Sequence, residues 1–244
     1  MTNTTDALFD WSPEAVVFDC DGTLMDTERH WQDARNQVFR GFGITPAPGF
    51  AERAKGVHYT DCGRLMAEES DKPHLVAEMT DSLLHHFMLR VADDPVTMPG
   101  AVEFVRRLSG RLPLAVASNC PLKVVEASLD RAGLLAHFGH IVVPTEEEDD
   151  TRAVRGEPVR PKPWPDVYAT AARLCGAAPE RALAVEDSMT GIESARRAGL
   201  RVLGVGPHPG QEDAARADLW VTTLHASDLT SWVESWPPHR PASQ

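Results

Sequence analysis

The stretch VVFDCDGTLMDTE, residues 16 to 28, decides how this 244-residue chain is read. Val16, Val17 and Phe18 are apolar and mostly β-branched or aromatic, so with Ala15 they predict a short buried strand. Asp19 and Asp21 stand at its exit with Gly22 behind them. A buried strand that ends on two carboxylates holds both at a sheet edge, where a rigid arm serves chemistry better than a loop does.

Further apolar runs follow at intervals. Pro113–Ser118 (PLAVAS), His140–Val143 (HIVV), Ala182–Glu186 (ALAVE), Arg201–Val205 (RVLGV) and Leu219–Thr222 (LWVT) each predict a strand. Between them lie helical patterns that open near a proline and close on a glycine, such as PLKVVEASLDRAG with Pro121 and Gly133. Strand and helix in alternation predict an α/β fold with a doubly wound, Rossmann-like parallel sheet, whose ligands bind beyond the carboxyl ends of the strands. The alternation breaks after Thr27, where the pattern is helical throughout. This predicts a helical cap over residues 27–93, inserted between two pieces, 1–26 and 94–244, that form one core.

Composition narrows the function. With 36 acidic and 24 basic residues the net charge is -12, which argues against a nucleic-acid surface. No eighteen consecutive residues are apolar, and Met1 to Asp10 carry no basic segment followed by an apolar one, so no membrane partner and a cytoplasmic location are expected. Cys20, Cys62, Cys120 and Cys175 lack metal-ligand spacing and read as reduced core residues. The acidic segment Thr145 to Pro161 reads as a solvated loop, and the Pro-rich tail from Trp236 as frayed. A monomer or weak homodimer is expected.

The strand ends carry a set of polar groups: Asp19 and Asp21, then Ser118 and Asn119, Lys162 in the long loop, and Glu186 with Asp187. Each alone has a plain structural reading. Asp19 and Ser118 could cap helices, Lys162 could face solvent, and Glu186 and Asp187 could start a helix at its positive end. Their convergence on one edge points to chemistry. Crowded carboxylates need a cation among them, and Mg²⁺ suits, being hard and content to share its sphere with water and phosphate oxygens.

The motifs DCDGT, SN, KP and EDSMTG, in that order, resemble the haloacid dehalogenase-like hydrolase superfamily in its branch with a helical cap after the first motif. The resemblance implies a Mg²⁺-dependent phosphatase acting on a small phosphorylated metabolite. Asp19 would be the nucleophile and form an aspartyl-phosphate, and Asp21 the general acid and base. Gly22 and Thr23 would shape the loop, Ser118 and Asn119 would hold phosphoryl oxygens, and Lys162 would neutralise charge. Asp19, Asp187 and the Asp21 carbonyl would hold the metal, with Glu186 acting through water or steadying Lys162. The segment Arg53 to Met66 is similar to the cap loop of sugar-phosphate phosphatases and β-phosphoglucomutases, with Lys55 as the inward charge. Mutases of that branch carry a histidine where Trp31 stands and an arginine where Tyr59 stands, which favours hydrolysis over phosphoryl return.

Rival readings are a signalling receiver domain, which has no use for the second aspartate or the helical insert, and a silent phosphate-binding protein, which would lack one of the groups found. Gly204 to Gly210 (GVGPHPG) mimics a phosphate loop, yet Pro207 and Pro209 have no N–H to offer, so a turn is expected. His85 and His86 are adjacent and diverge on a helix. Trp31, with Val38 and Phe39 at helical spacing, reads as cap core near the mouth of the site.

Overall fold

The computed structural model describes residues 6–55, 57–94, 96–145 and 158–237. Six parallel strands run in the order β3-β2-β1-β4-β5-β6. They are β1 (Ala15–Phe18), β2 (Leu114–Ala117), β3 (His140–Val142), β4 (Ala182–Glu186), β5 (Arg201–Val205) and β6 (Leu219–Val221). Register is continuous across the centre, with Phe18 opposite both Val116 and Val185. The chain lays down β2 and β3 on one side of β1 and returns to the other for β4, so the order reverses between β1 and β4. That reversal opens a crevice at their carboxyl ends.

The two sheet faces differ because side chains alternate along a strand. One face presents Val16, Phe18, Leu114, Val116, Leu183 and Val185 to α6 (Ala101–Leu108), α7 (Leu122–Arg131) and α11 (Ser227–Ser235). The other presents Ala15, Val17, Ala115, Ala117, Ala182 and Ala184 to α8 (Asp166–Leu174) and α9 (Met189–Arg197). Small residues on that face let the helix bearing Tyr168 lie close to the strands. The short helices α1 (Asp6–Phe9) and α10 (Gln211–Ala214) complete the strand-bearing part.

Between β1 and α6 the described chain is helical: α2 (Glu28–Gly41), α3 (Phe50–Ala54), α4 (Tyr59–Glu69) and α5 (Val76–Asp93). Apolar side chains of α2, α3, α4 and α5 pack together, with Phe39 edge-on to Phe50 at 5.0 Å and Trp31 stacked on Phe87 at 3.6 Å and 11°. The two connecting segments run side by side. Asp26 N–H donates to Val96 O at 2.8 Å, Met98 N–H donates to Leu24 O at 2.9 Å, and Met25 bridges Thr97 in antiparallel fashion. His30 Nε2 lies 2.9 Å from Asp94 O, and Arg29 pairs with the Asp94 carboxylate at 3.0 Å.

Other expectations can be placed. All four cysteines are free, and Cys20, Cys62 and Cys120 are buried. No described helix is long and apolar enough to cross a membrane. Gly204 belongs to β5 with the Trp220 ring against it, and the chain turns after Val205, with Gly206 and Gly210 at positive φ. The His85 and His86 rings are 5.6 Å apart at a 63° angle. The acidic loop is closed at its base, where Val159 O accepts from Thr145 N–H at 2.9 Å. Residues 146–157, which carry the acidic run, and the tail beyond Pro237 lie outside the described residues.

Candidate active site

Asp19 follows β1 directly, and its N–H donates to Val185 O at 2.9 Å, so the strand ladder fixes its backbone. Its Oδ1 accepts from Lys162 Nζ at 2.5 Å. Its Oδ2 is buried without a hydrogen-bond partner among the described residues. Lys162 is buried too, and Nζ also donates to Glu186 Oε1 at 2.6 Å. Asn119 holds the lysine backbone from both sides: its Oδ1 accepts from Lys162 N–H at 2.8 Å and its Nδ2 donates to Lys162 O at 3.3 Å.

Glu186, fully buried at the end of β4, has both oxygens engaged. Oε1 accepts from Lys162 and from the Tyr168 hydroxyl at 2.9 Å, while Oε2 accepts from Ser188 N–H and Oγ, each at 3.0 Å. Ser188 Oγ in turn accepts from Gly191 N–H at 3.1 Å and caps α9. A side chain at Gly191 would run into the Glu186 carboxylate. Oxygens of Asp19, Glu186 and Asp187 lie within 4.8 Å of one another across the crevice between β1 and β4.

Asp21 departs from the expected crowding. Its carboxylate turns away from that cluster and accepts from Thr27 Oγ1 at 2.6 Å and Ser118 Oγ at 3.2 Å. Gly22 next to it has a φ of +94°, and a Cβ there would sit 2.5 Å from Asp187 Oδ2, so the close approach of the chain to Asp187 needs a glycine. Thr23 is fully buried, and its Oγ1 has no partner among the described residues. Ser118 does not cap α7, whose N-cap is Pro121; its Oγ accepts from Cys120 N–H at 3.0 Å. Lys55 reaches inward from the α3–α4 segment, with Nζ 3.5 Å from Asp187 Oδ2, and stays half exposed.

The electrostatics follow from burial and from the crowding of the carboxylates. Burial pushes the Asp19 carboxyl well up; Lys162 opposes this, and Glu186, Asp187 and Asp21 add to it. Asp187 is pushed up to about 7, first by burial and then by Glu186, against the pull of Lys55 and Lys162. Burial works against the Lys162 ammonium, but Asp19 and Glu186 together hold its pKa above the ordinary lysine value. The orphaned Asp19 Oδ2 stands among three carboxylates that outnumber the two neighbouring ammonium groups, Lys162 and Lys55, and such an all-oxygen set is one that Mg²⁺ takes.

The cleft of about 50 Å³ above this cluster is lined on one side by Asp19, Asp21, Asn119, Lys162 and Asp187, and on the other by helical residues including Glu28, Trp31, Arg35 and Tyr59. Trp31 is therefore both core and wall. Tyr168, Thr27 and Arg35 were not among the residues expected at the site. Tyr168 lies six residues after Lys162 on the sheet-facing side of α8, where its pattern reads as core. Arg35 lies seven after Glu28, and that spacing was the available signal.

The sequence profile of the haloacid dehalogenase-like hydrolases matches residues 13–199. The chain belongs to this family. Protein CbbY of Cereibacter sphaeroides is 32% identical over 238 residues, covering 90% of this chain and 99% of that protein. The phosphorylated carbohydrates phosphatase of Thermotoga maritima is 29% identical, covering 79% and 85%. Among solved structures, CbbY (mutant D10N) of Rhodobacter sphaeroides in complex with xylulose-(1,5)bisphosphate superposes with a TM-score of 0.71 at 26% identity, covering 87% of this haloacid dehalogenase-like hydrolase and 95% of that chain.

Proposed function

We propose that this hydrolase releases phosphate from a small phosphorylated metabolite through an aspartyl-phosphate on Asp19. The observation that carries the reading is the asymmetry of that carboxylate: Oδ1 is tied to Lys162, while Oδ2 is buried and has no partner among the described residues. Oδ2 attacks phosphorus as the ester P–O bond opens. Asp21, steadied by Thr27 and Ser118, gives its proton to the departing oxygen. It then takes one from the water that cleaves the aspartyl-phosphate, which returns Asp19 and frees phosphate. Lys162 balances charge on Asp19 and on the phosphoryl group throughout.

Asp19 and Asp187, with the Asp21 carbonyl, would hold Mg²⁺. When bound, it supplies positive charge beside the transferring group. Glu186 acts by steadying Lys162, because both its oxygens are already engaged. Ser118 acts through Asp21, and Asn119 through the Lys162 backbone, with Lys55 on the open side. We take residues 27–93 as a cap whose helices bound the cleft from above.

The test is release of inorganic phosphate from a panel of phosphorylated metabolites with Mg²⁺ and with chelator. Turnover that is unaffected by excess chelator would refute the metal assignment. β-Glucose 1-phosphate with a trace of the bisphosphate separates hydrolysis from transfer. Free phosphate should outpace glucose 6-phosphate, because neither the Trp31 indole nor the Tyr59 phenol can serve as an imidazole base or a guanidinium fork.

A further inference from the structure

The cleft has a wall that the chemistry above leaves without a task. Glu28, Trp31 and Arg35 fall at i, i+3 and i+7 on one face of α2, and all three line the cleft. The Arg35 side chain is only 5% exposed, and its Nη2 donates to Glu28 Oε1 at 2.7 Å. Between them, Trp31 has one ring face covered by Phe87.

A guanidinium that is buried and paired in this way is a fixed planar fork, not a mobile point charge. Glu28 balances its charge, so the pair is neutral overall, with donors at one end and acceptors at the other. A hydroxyl group both donates and accepts and can satisfy either end. A second anionic group would gain Arg35 only by meeting the Glu28 carboxylate beside it, and like charges brought together in a partly dry site repel. The other cation on this side, Lys55, is turned to Asp187 at the phosphoryl end. The indole adds a flat apolar surface that suits the C–H face of a carbohydrate.

We propose that Glu28, Trp31 and Arg35 form a specificity wall that selects monophosphate esters of uncharged polyhydroxy compounds over bisphosphates and phosphorylated carboxylic acids. The inference rests on the phosphatase reading and narrows it.

The experiment compares kcat/KM for sorbitol 6-phosphate, fructose 1,6-bisphosphate, 2-phosphoglycolate and p-nitrophenyl phosphate with Mg²⁺ present. Wild type should favour sorbitol 6-phosphate over the bisphosphate and the acid by at least about 30-fold. Glu28→Gln keeps a hydrogen-bond acceptor for Arg35 but removes the repulsion, so that preference should fall by about 10-fold or more. Arg35→Met should raise KM for sorbitol 6-phosphate about 10-fold or more relative to p-nitrophenyl phosphate. If Arg35→Met does not fold, the wild-type panel and Glu28→Gln still decide. A wild type that cleaves p-nitrophenyl phosphate yet prefers the bisphosphate or the acid, or a Glu28→Gln ratio that does not move, would overturn the specificity wall alone. No phosphate from any of the four would overturn the phosphatase reading and this inference with it.

Discussion

At the scale of single residues, two substitutions separate attack from positioning. Asp19→Asn keeps the shape of the side chain and removes the carboxylate proposed to attack, so phosphate release should fall by several orders of magnitude while circular dichroism stays that of the folded protein. Tyr168→Phe removes one hydroxyl from Glu186, leaving Lys162 as the one donor to Oε1 among the described residues. Burial and the neighbouring Glu186 hold the Tyr168 phenol protonated, so it is a donor at any ordinary pH. A hydrogen bond to a charged group contributes about 1.5–3 kcal/mol, and a kcat lowered about tenfold at constant KM is expected in steady-state kinetics. The strand-end groups Asp19, Ser118, Asn119, Lys162, Glu186 and Asp187 were legible because each directly follows an apolar run or sits in a motif. Tyr168 and Thr27 were not, because their hydroxyls find partners through the fold and look in sequence like helix core and linker. Asp21 was legible as an acid at a strand end, but its side-chain partners, Thr27 and Ser118, are brought to it only by the fold.

At the scale of elements, the stack of Trp31 on Phe87 joins α2 to α5 and also sets the wall of the cleft. Phe87→Ala should lower stability by about 3–5 kcal/mol, the usual cost of emptying an aromatic site in a core, read by urea unfolding. It should also raise KM, since Trp31 loses the ring that fixes its plane. All six strands were legible, each ending within about two residues of the expected position, because buried parallel strands are short uninterrupted apolar runs. Their order was not legible: which apolar run lies beside β1 depends on how the intervening helices cross the sheet. The difference between the alanine-rich face under α8 and α9 and the bulky face under α6 and α7 appears only once the strands are aligned.

For the whole molecule, pH and metal are linked through Asp187. Its carboxyl is pushed up to about 7 in the metal-free protein, so the folded chain keeps a proton that the unfolded chain loses in the ordinary carboxylate range. The metal-free protein should therefore lose stability as pH rises from that range through about 7, and Asp19, also pushed well up, adds a loss of the same sign. Mg²⁺ at the proposed site would compete with these protons, so the rise in Tm on adding Mg²⁺ should be small near pH 5 and grow as pH rises through 7. Asp187→Asn should flatten that dependence, as scanning fluorimetry would record. The side-by-side connecting segments also bear on how the chain reaches its native state. Phe18 must find Val116, which closes a loop of about 100 residues. Once α2 to α5 have collapsed and Met25 meets Thr97, the span left to close is about a quarter as long, a saving of about 1.2 kcal/mol in closure entropy. The inserted helices thus act as a folding splint for the central strands. Weakening them with Phe87→Ala should slow refolding measured by stopped flow, in addition to speeding unfolding.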